Sequence, residues 1–170
     1  MTRKIRTVRI PEESALAPML GGAYFYDAFA APLANASLTP TEIFLRAIAA
    51  APRWVTSLMM LRNALARRFG LKAVGAAPGT AQKPAEAYRI GDRIAIFTVV
   101  GQLQNELVLG IDDWHLDVRV SVLKPRGGEE HSYVLSTVVR CHNAFGRAYM
   151  VPVARIHPFV VRALMRRATL

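Results

Sequence analysis

Four β-rich runs with two-residue alternation, a helix pair ahead of them and one helix behind them predict an α+β fold. The expected form is a curved antiparallel sheet wrapped around a long C-terminal helix, with two further helices after the first strand. Strands and helices occupy separate blocks of the chain, which argues against the alternating order of a parallel α/β sheet. At 170 residues the chain has the size of a single domain, with apolar surface enough for one core.

The first strand is expected at Ala23–Ala30, a short aromatic-rich run reading Ala-Tyr-Phe-Tyr-Asp-Ala-Phe-Ala. Thr39-Pro40-Thr41-Glu42 then carries a capping threonine, a proline at the first helical position and a glutamate three residues after the cap. This capping box predicts a helix running to about Ala50. Pro52 opens a second helix, whose apolar stripe is Trp54, Leu58, Leu61, Leu65 and Phe69, with Gly70 in place to terminate it. The stretch 73–87 has no periodicity and reads as a mobile loop.

The β-rich runs are Arg93–Leu103, Glu106–Ile111, Trp114–Lys124 and Ser132–His142, joined by segments short enough for hairpins. The third alternates cleanly: Leu116, Val118, Val120 and Val122 fall on one face, and His115, Asp117, Arg119 and Ser121 on the other. In the last helix Met150, Val153, His157, Val160 and Leu164 form one stripe. Pro152 suits its start, and Pro158 is expected to kink or divide it.

Composition narrows the function classes. Hydrophobic residues make up 52% and charged residues 20%, which excludes a disordered chain. Mean hydropathy is +0.22, yet no run approaches the ~20 uncharged apolar residues of a membrane span, so the apolar surplus is expected in a core or around a cavity. Residues 1–20 read as a basic N-terminal segment without the apolar block of a secretion signal. Cys141 is the single cysteine, excluding an intrachain disulfide and a cysteine zinc cluster, and a cytoplasmic location follows most simply. A net charge of +10 favours anionic partners, either acidic small molecules or an anionic membrane surface in weak contact. Nucleic acid is not expected, because the signatures of nucleic-acid modules are missing.

The candidate pocket residues are His157, Tyr149, His142, His115 and Trp54. His157 interrupts an apolar helical stripe, where it serves either as general base or pocket donor, or as a buried histidine bonded to a sheet residue. Tyr149 and Arg147, on the same helix, suit the polar end of a ligand. His115 sits among Asp112, Asp113 and Asp117; strand spacing of about 7 Å between alternate residues is wide for one metal ion, and no metal or cofactor is expected. Cys141 and His142 point to opposite faces as strand neighbours, so they do not form a nucleophilic dyad. Trp54 heads the second helix stripe, as core or as ligand platform, and Glu106 is expected to pair with an arginine.

Several segments together resemble an uncharacterised bacterial family within the START-like (SRPBCC) helix-grip superfamily. They are Pro52-Arg53-Trp54-Val55 with Leu61-Arg62-Asn63, Asp112-Asp113-Trp114-His115-Leu116-Asp117, Ser136-Thr137-Val138-Val139 with His142-Asn143, and Gly146-Arg147-Ala148-Tyr149-Met150 with His157. The resemblance covers most of the chain from Thr41 onward. It implies a helix-grip-like domain with a cavity between sheet and last helix, which in this superfamily commonly holds lipids, hormones, polyketides or other largely apolar molecules. It implies no particular reaction and carries no catalytic residues to this chain. The leading expectation is a binding module for a small apolar or amphipathic molecule, with an acidic group suited to the positive charge. The alternatives are an enzyme using His157 and a sheet acid in the same cavity, and a basic protein of the membrane surface.

Overall fold

A computed structural model describes residues 5–68, 83–126 and 131–168, with side chains as far as residue 64 in the first stretch. Its elements are β1 (Arg6–Thr7), β2 (Phe25–Pro32), α1 (Pro40–Ala49), α2 (Arg53–Arg68), β3 (Arg93–Ile94), β4 (Phe97–Gln102), β5 (Glu106–Asp112), β6 (Leu116–Leu123), β7 (Ser132–Cys141) and α3 (Ala144–Arg167). The strands form one antiparallel sheet in the order β1-β2-β7-β6-β5-β4-β3. Hairpins lay β3 to β7 side by side, and β2 returns to pair with β7 along its whole length, Phe25 opposite Val139 through Pro32 opposite Ser132. The result is the expected helix-grip-like α+β fold, with two helices after the first long strand and a long helix at the end.

Alternation gives the sheet two unlike faces. On the helix face, Phe29, Leu107, Leu109, Val120, Val122 and Leu135 pack with Ile43 and Phe44 of α1 and Val161 and Met165 of α3. A second cluster on the same face joins Leu116 and Val139 to Met150, near the start of α3. The opposite face is covered by the N-terminal segment: Ile10 and Leu16 pack on Ala28, Ala30, Val108, Val134 and Val138. The basic residues near the chain start gave no sign of this cover, because its few apolar side chains have no regular period.

The capping box forms as read. Thr39 Oγ1 accepts from the Glu42 N–H at 3.2 Å, and the Glu42 carboxylate accepts from the Thr39 N–H at 2.7 Å. Other local expectations need correction. The run Arg93–Leu103 is two strands, because a two-residue turn at Ala95-Ile96, with Ala95 at φ 53°, folds β4 back on β3. The α2 stripe is not a buried face: Trp54 and Leu61 are exposed, and Val55 is the residue that enters the core. Leu65, Phe69 and Gly70 lie outside the described residues or side chains, as does most of the expected loop at 73–87, of which Ala85–Ala87 form a 3-10 turn.

α3 starts at Ala144, well before Pro152, and continues through Pro158 without dividing. Its true cap is Asn143, whose Oδ1 accepts from the Gly146 N–H at 3.0 Å and whose Nδ2 donates to the Trp114 carbonyl at 3.2 Å. Each internal proline removes one helical hydrogen bond, and the buried Met150, Val161 and Met165 hold the helix on the sheet to either side. Gly146 is required by a close approach: a Cβ there would stand 2.1 Å from the His115 carbonyl oxygen.

No single helix among the described residues is long and apolar enough to cross a membrane.

Candidate functional site

Between the two apolar clusters of the helix face lies a polar waist. His157 projects from α3 between Ala154, which packs in one cluster, and Val161, which packs in the other. Its Nδ1 meets Asp27 Oδ2 of β2 at 2.8 Å, and its ring stands edge-on to Phe25 with centroids 5.6 Å apart. Asp27 shares its face with Phe25 and Phe29, and its register partner on β7 is Thr137. The Asp27 side chain is 10% exposed and Thr137 is 1% exposed. Asp27 Oδ1 and Thr137 Oγ1 are nevertheless both buried without a hydrogen-bond partner. Buried polar atoms seldom stay unpaired, because the lost hydration costs about 1–3 kcal/mol each.

Beside the waist the sheet floor is incompletely covered. Val118, in the middle of β6, and its register partner Ile111 on β5 are only partly buried, with Val118 packed against the edges of both apolar clusters, whereas Leu116 and Val120 on either side of it are buried. Val118 lies one side-chain row from Thr137, since it pairs with Val139 while Val120 pairs with Thr137. That spacing is about 7 Å. The partly exposed Val118 therefore adjoins Thr137, and Asp27 lies one strand farther, on β2.

The same α3 stripe leads to an aromatic cluster. Tyr149, Val153 and His157 follow at four-residue steps, placing Tyr149 about 12 Å along the axis from His157. The Tyr149 ring meets the His115 ring edge-on at 5.6 Å, Phe145 contacts His115 at 5.5 Å, and Trp114 stacks on Phe145 at 5.3 Å. His115 is buried and does not share the outward face of Asp117 and Arg119. The strand begins only at Leu116, and the turn closed by the Asp113 N–H to the Leu116 carbonyl breaks the alternation and turns His115 under α3. Burial lowers the His115 pKa below the ordinary value; Asp113, 3.6 Å away, opposes that, and Arg62 and His142 reinforce it.

Of the candidates named from sequence, His157, Tyr149 and His115 thus lie along one seam. His142 is on the other side of the sheet, its Nε2 3.0 Å from Asp117 Oδ2. Trp54 stands on α2 with 44% of its surface exposed. Cys141 faces the second apolar cluster, and burial raises its thiol pKa against the pull of Arg147. Asp117 pairs with His142 rather than converging on Asp113 and His115, and no metal-holding group of three acidic, histidine or cysteine side chains occurs among the described residues. Glu106, expected to meet an arginine, accepts instead from the hydroxyls of Ser14 and Ser121 and from the Ala15 N–H at 2.9 Å. Asp27 and Thr137 were not singled out from sequence. The signal for Asp27 was present, as one acid in register with two phenylalanines in an otherwise apolar strand.

Residues 19–164 match the family described as Protein of unknown function (DUF2867). The chain belongs to this family. No curated protein matches it, and no solved structure does.

Proposed function

We propose that this DUF2867 protein is a START-like, cytoplasmic binding module for a small, mainly apolar molecule held between α3 and the helix face of the sheet. One observation carries the reading: two buried polar atoms without partners, Asp27 Oδ1 and Thr137 Oγ1, belong to register partners on neighbouring strands of the helix face, and the partly exposed Val118 lies one row from Thr137. An apolar surface with a few convergent polar groups is the usual chemistry of a small-molecule site. The order of elements supports the START-like assignment, with the terminal helix laid on an antiparallel sheet and a helix pair after the first long strand. The test is native mass spectrometry of protein purified from its own host, together with titration of a neutral apolar dye such as Nile red. A retained small molecule and saturable dye uptake are expected. Protein that carries no molecule and takes up no dye saturably would refute the reading.

A second reading, weak docking on an anionic membrane surface, is favoured by the outer side of α3. Val151, Ile156 and Phe159 are exposed there, Phe159 to 67%, beside Arg155 and Arg166. Basic and apolar side chains on one exposed helix are the pattern of an interfacial helix. Co-sedimentation with phosphatidylcholine vesicles containing increasing phosphatidylglycerol is expected to rise with the anionic fraction and to collapse with salt, as exposed charges are screened within ~8 Å at physiological ionic strength. Absence of binding at low salt would eliminate it.

A further inference from the structure

The hydrogen-bonding sense of the waist restricts what its ligand presents there. A carboxylate only accepts, so the contact between His157 Nδ1 and Asp27 Oδ2 has the imidazole donating. The second oxygen, Oδ1, can take only a donor. Thr137 Oγ1, on the register partner of Asp27, can donate or accept as its hydroxyl rotates. One group completes both: a donor that points a hydrogen at Asp27 Oδ1 while staying within reach of Thr137.

We propose that the waist binds the polar end of an otherwise apolar ligand through a hydrogen-bond donor, an alcohol or an amine, and discriminates against carboxylates. This rests on the binding-module reading above and narrows its ligand class. A hydroxyl fits both contacts, giving its hydrogen to Asp27 and accepting from Thr137. An ammonium group satisfies Asp27 as a charged donor, with Thr137 accepting. An ionised carboxylate brings no hydrogen and sets a like charge against Asp27, at a buried position where water screens poorly. On the helix face, a cation beside this strand that suits an acid is Arg162. Its guanidinium donates to Thr7 Oγ1 at 2.8 Å and lies 5.1 Å from the centroid of Phe29, and its Nε is without a partner. Phe29 is two residues along β2 from Asp27, so an acidic head at Arg162 and a donor head at Asp27 are different poses.

Three probes of equal chain length separate these poses: decanol, decylamine and decanoate, each used below its aggregation limit to displace Nile red from the intact protein. Decanol and decylamine are expected to displace the dye at concentrations about tenfold below decanoate, the difference made by one hydrogen bond to a charged group. Asp27→Asn supplies an amide donor in place of an oxygen and is expected to close the gap between acid and alcohol. Thr137→Val is expected to weaken decanol about fivefold while leaving decanoate unchanged, since only the alcohol uses that hydroxyl. Decanoate displacing the dye better than decanol from the wild-type protein, with that advantage lost in Arg162→Met, would overturn the proposal and place the head group at Arg162. Uptake of dye with equal displacement by all three would overturn it too, leaving the binding-module reading standing. Failure to take up dye saturably would remove the binding-module reading and this proposal with it.

Discussion

Each face of the sheet buries a carboxylate, and the two are treated in opposite ways. On the N-terminal face, Glu106 is 2% exposed and both its oxygens are engaged, by Ser14, Ser121 and the Ala15 N–H. On the helix face, Asp27 has one oxygen on His157 and the other unpaired. Glu106 ties residues 14 and 15 of the N-terminal segment to β5 and β6, and its donors come from groups that the fold itself holds in place. Asp27 faces Thr137, its register partner, whose hydroxyl is also unpaired and which lies one row from the partly exposed Val118. A buried acid whose acceptor sites are used within the chain acts as a clasp, whereas one that keeps an unused acceptor is suited to a ligand. The N-terminal face has its own unpaired hydroxyl, Ser136, which lies opposite Ser121 beneath that cover.

The largest expected effect falls on the clasp. Glu106→Ala leaves two hydroxyls and one N–H without their acceptor, and unfolding in urea is expected to register a loss of about 4 kcal/mol, with unpaired buried donors as the main cause. Faster hydrogen exchange over residues 8–20 should accompany it, because that segment loses its attachment. A loss below about 1 kcal/mol would break the contrast between the two carboxylates.

His157→Leu tests the other face. It keeps bulk but leaves Asp27 with neither oxygen paired, so a loss of about 1–3 kcal/mol is expected from denaturation. If His157 is instead a general base for a reaction on the bound molecule, the variant keeps binding while turnover of the true substrate drops about 100-fold. Dye affinity and turnover measured on the same variant therefore separate the carrier from the enzyme. A variant unchanged in stability, affinity and turnover would remove His157 from the site.

Ser14→Ala sharpens the account of the clasp by removing one of its three donors, and a loss of about 1.5 kcal/mol is expected, below that of Glu106→Ala. At neutral pH the smallest effect belongs to His115, under the start of α3. Its pKa is lowered in the folded protein, so the unfolded chain takes up this proton first as pH drops below the ordinary 6.5. The contribution is intact above that pH and is lost as pH falls toward the lowered folded value. His115→Phe is expected to flatten the acid limb of stability against pH, and a limb of unchanged slope would show that His115 does not contribute to it.

How much of this was legible differs between element and site. Thr39 and Glu42 announced α1 because a capping box is complete within four residues, and Leu116, Val118, Val120 and Val122 announced β6 because alternation needs no distant partner. His157 could be placed on an inward helical stripe for the same reason. Local rules failed where a longer-range contact outweighed them. The long packing surface of α3 carries the helix through Pro152 and Pro158, and a turn at Asp113–His115 withdraws His115 from the strand's alternation.

By itself, then, the sequence determined the α+β order of elements, the caps and periods of most of them, and the inward position of one histidine. Tertiary structure decided the partners. Asp27 reaches His157 across 130 positions, and Ser14 reaches Glu106 across 92. Short-range propensity acts over a few residues and cannot select contacts at such separations. They follow from strand order, which sets β2 against β7 beneath α3 and lays the N-terminal segment across the opposite face, so that one buried acid is closed by the fold and the other is left with an oxygen to offer.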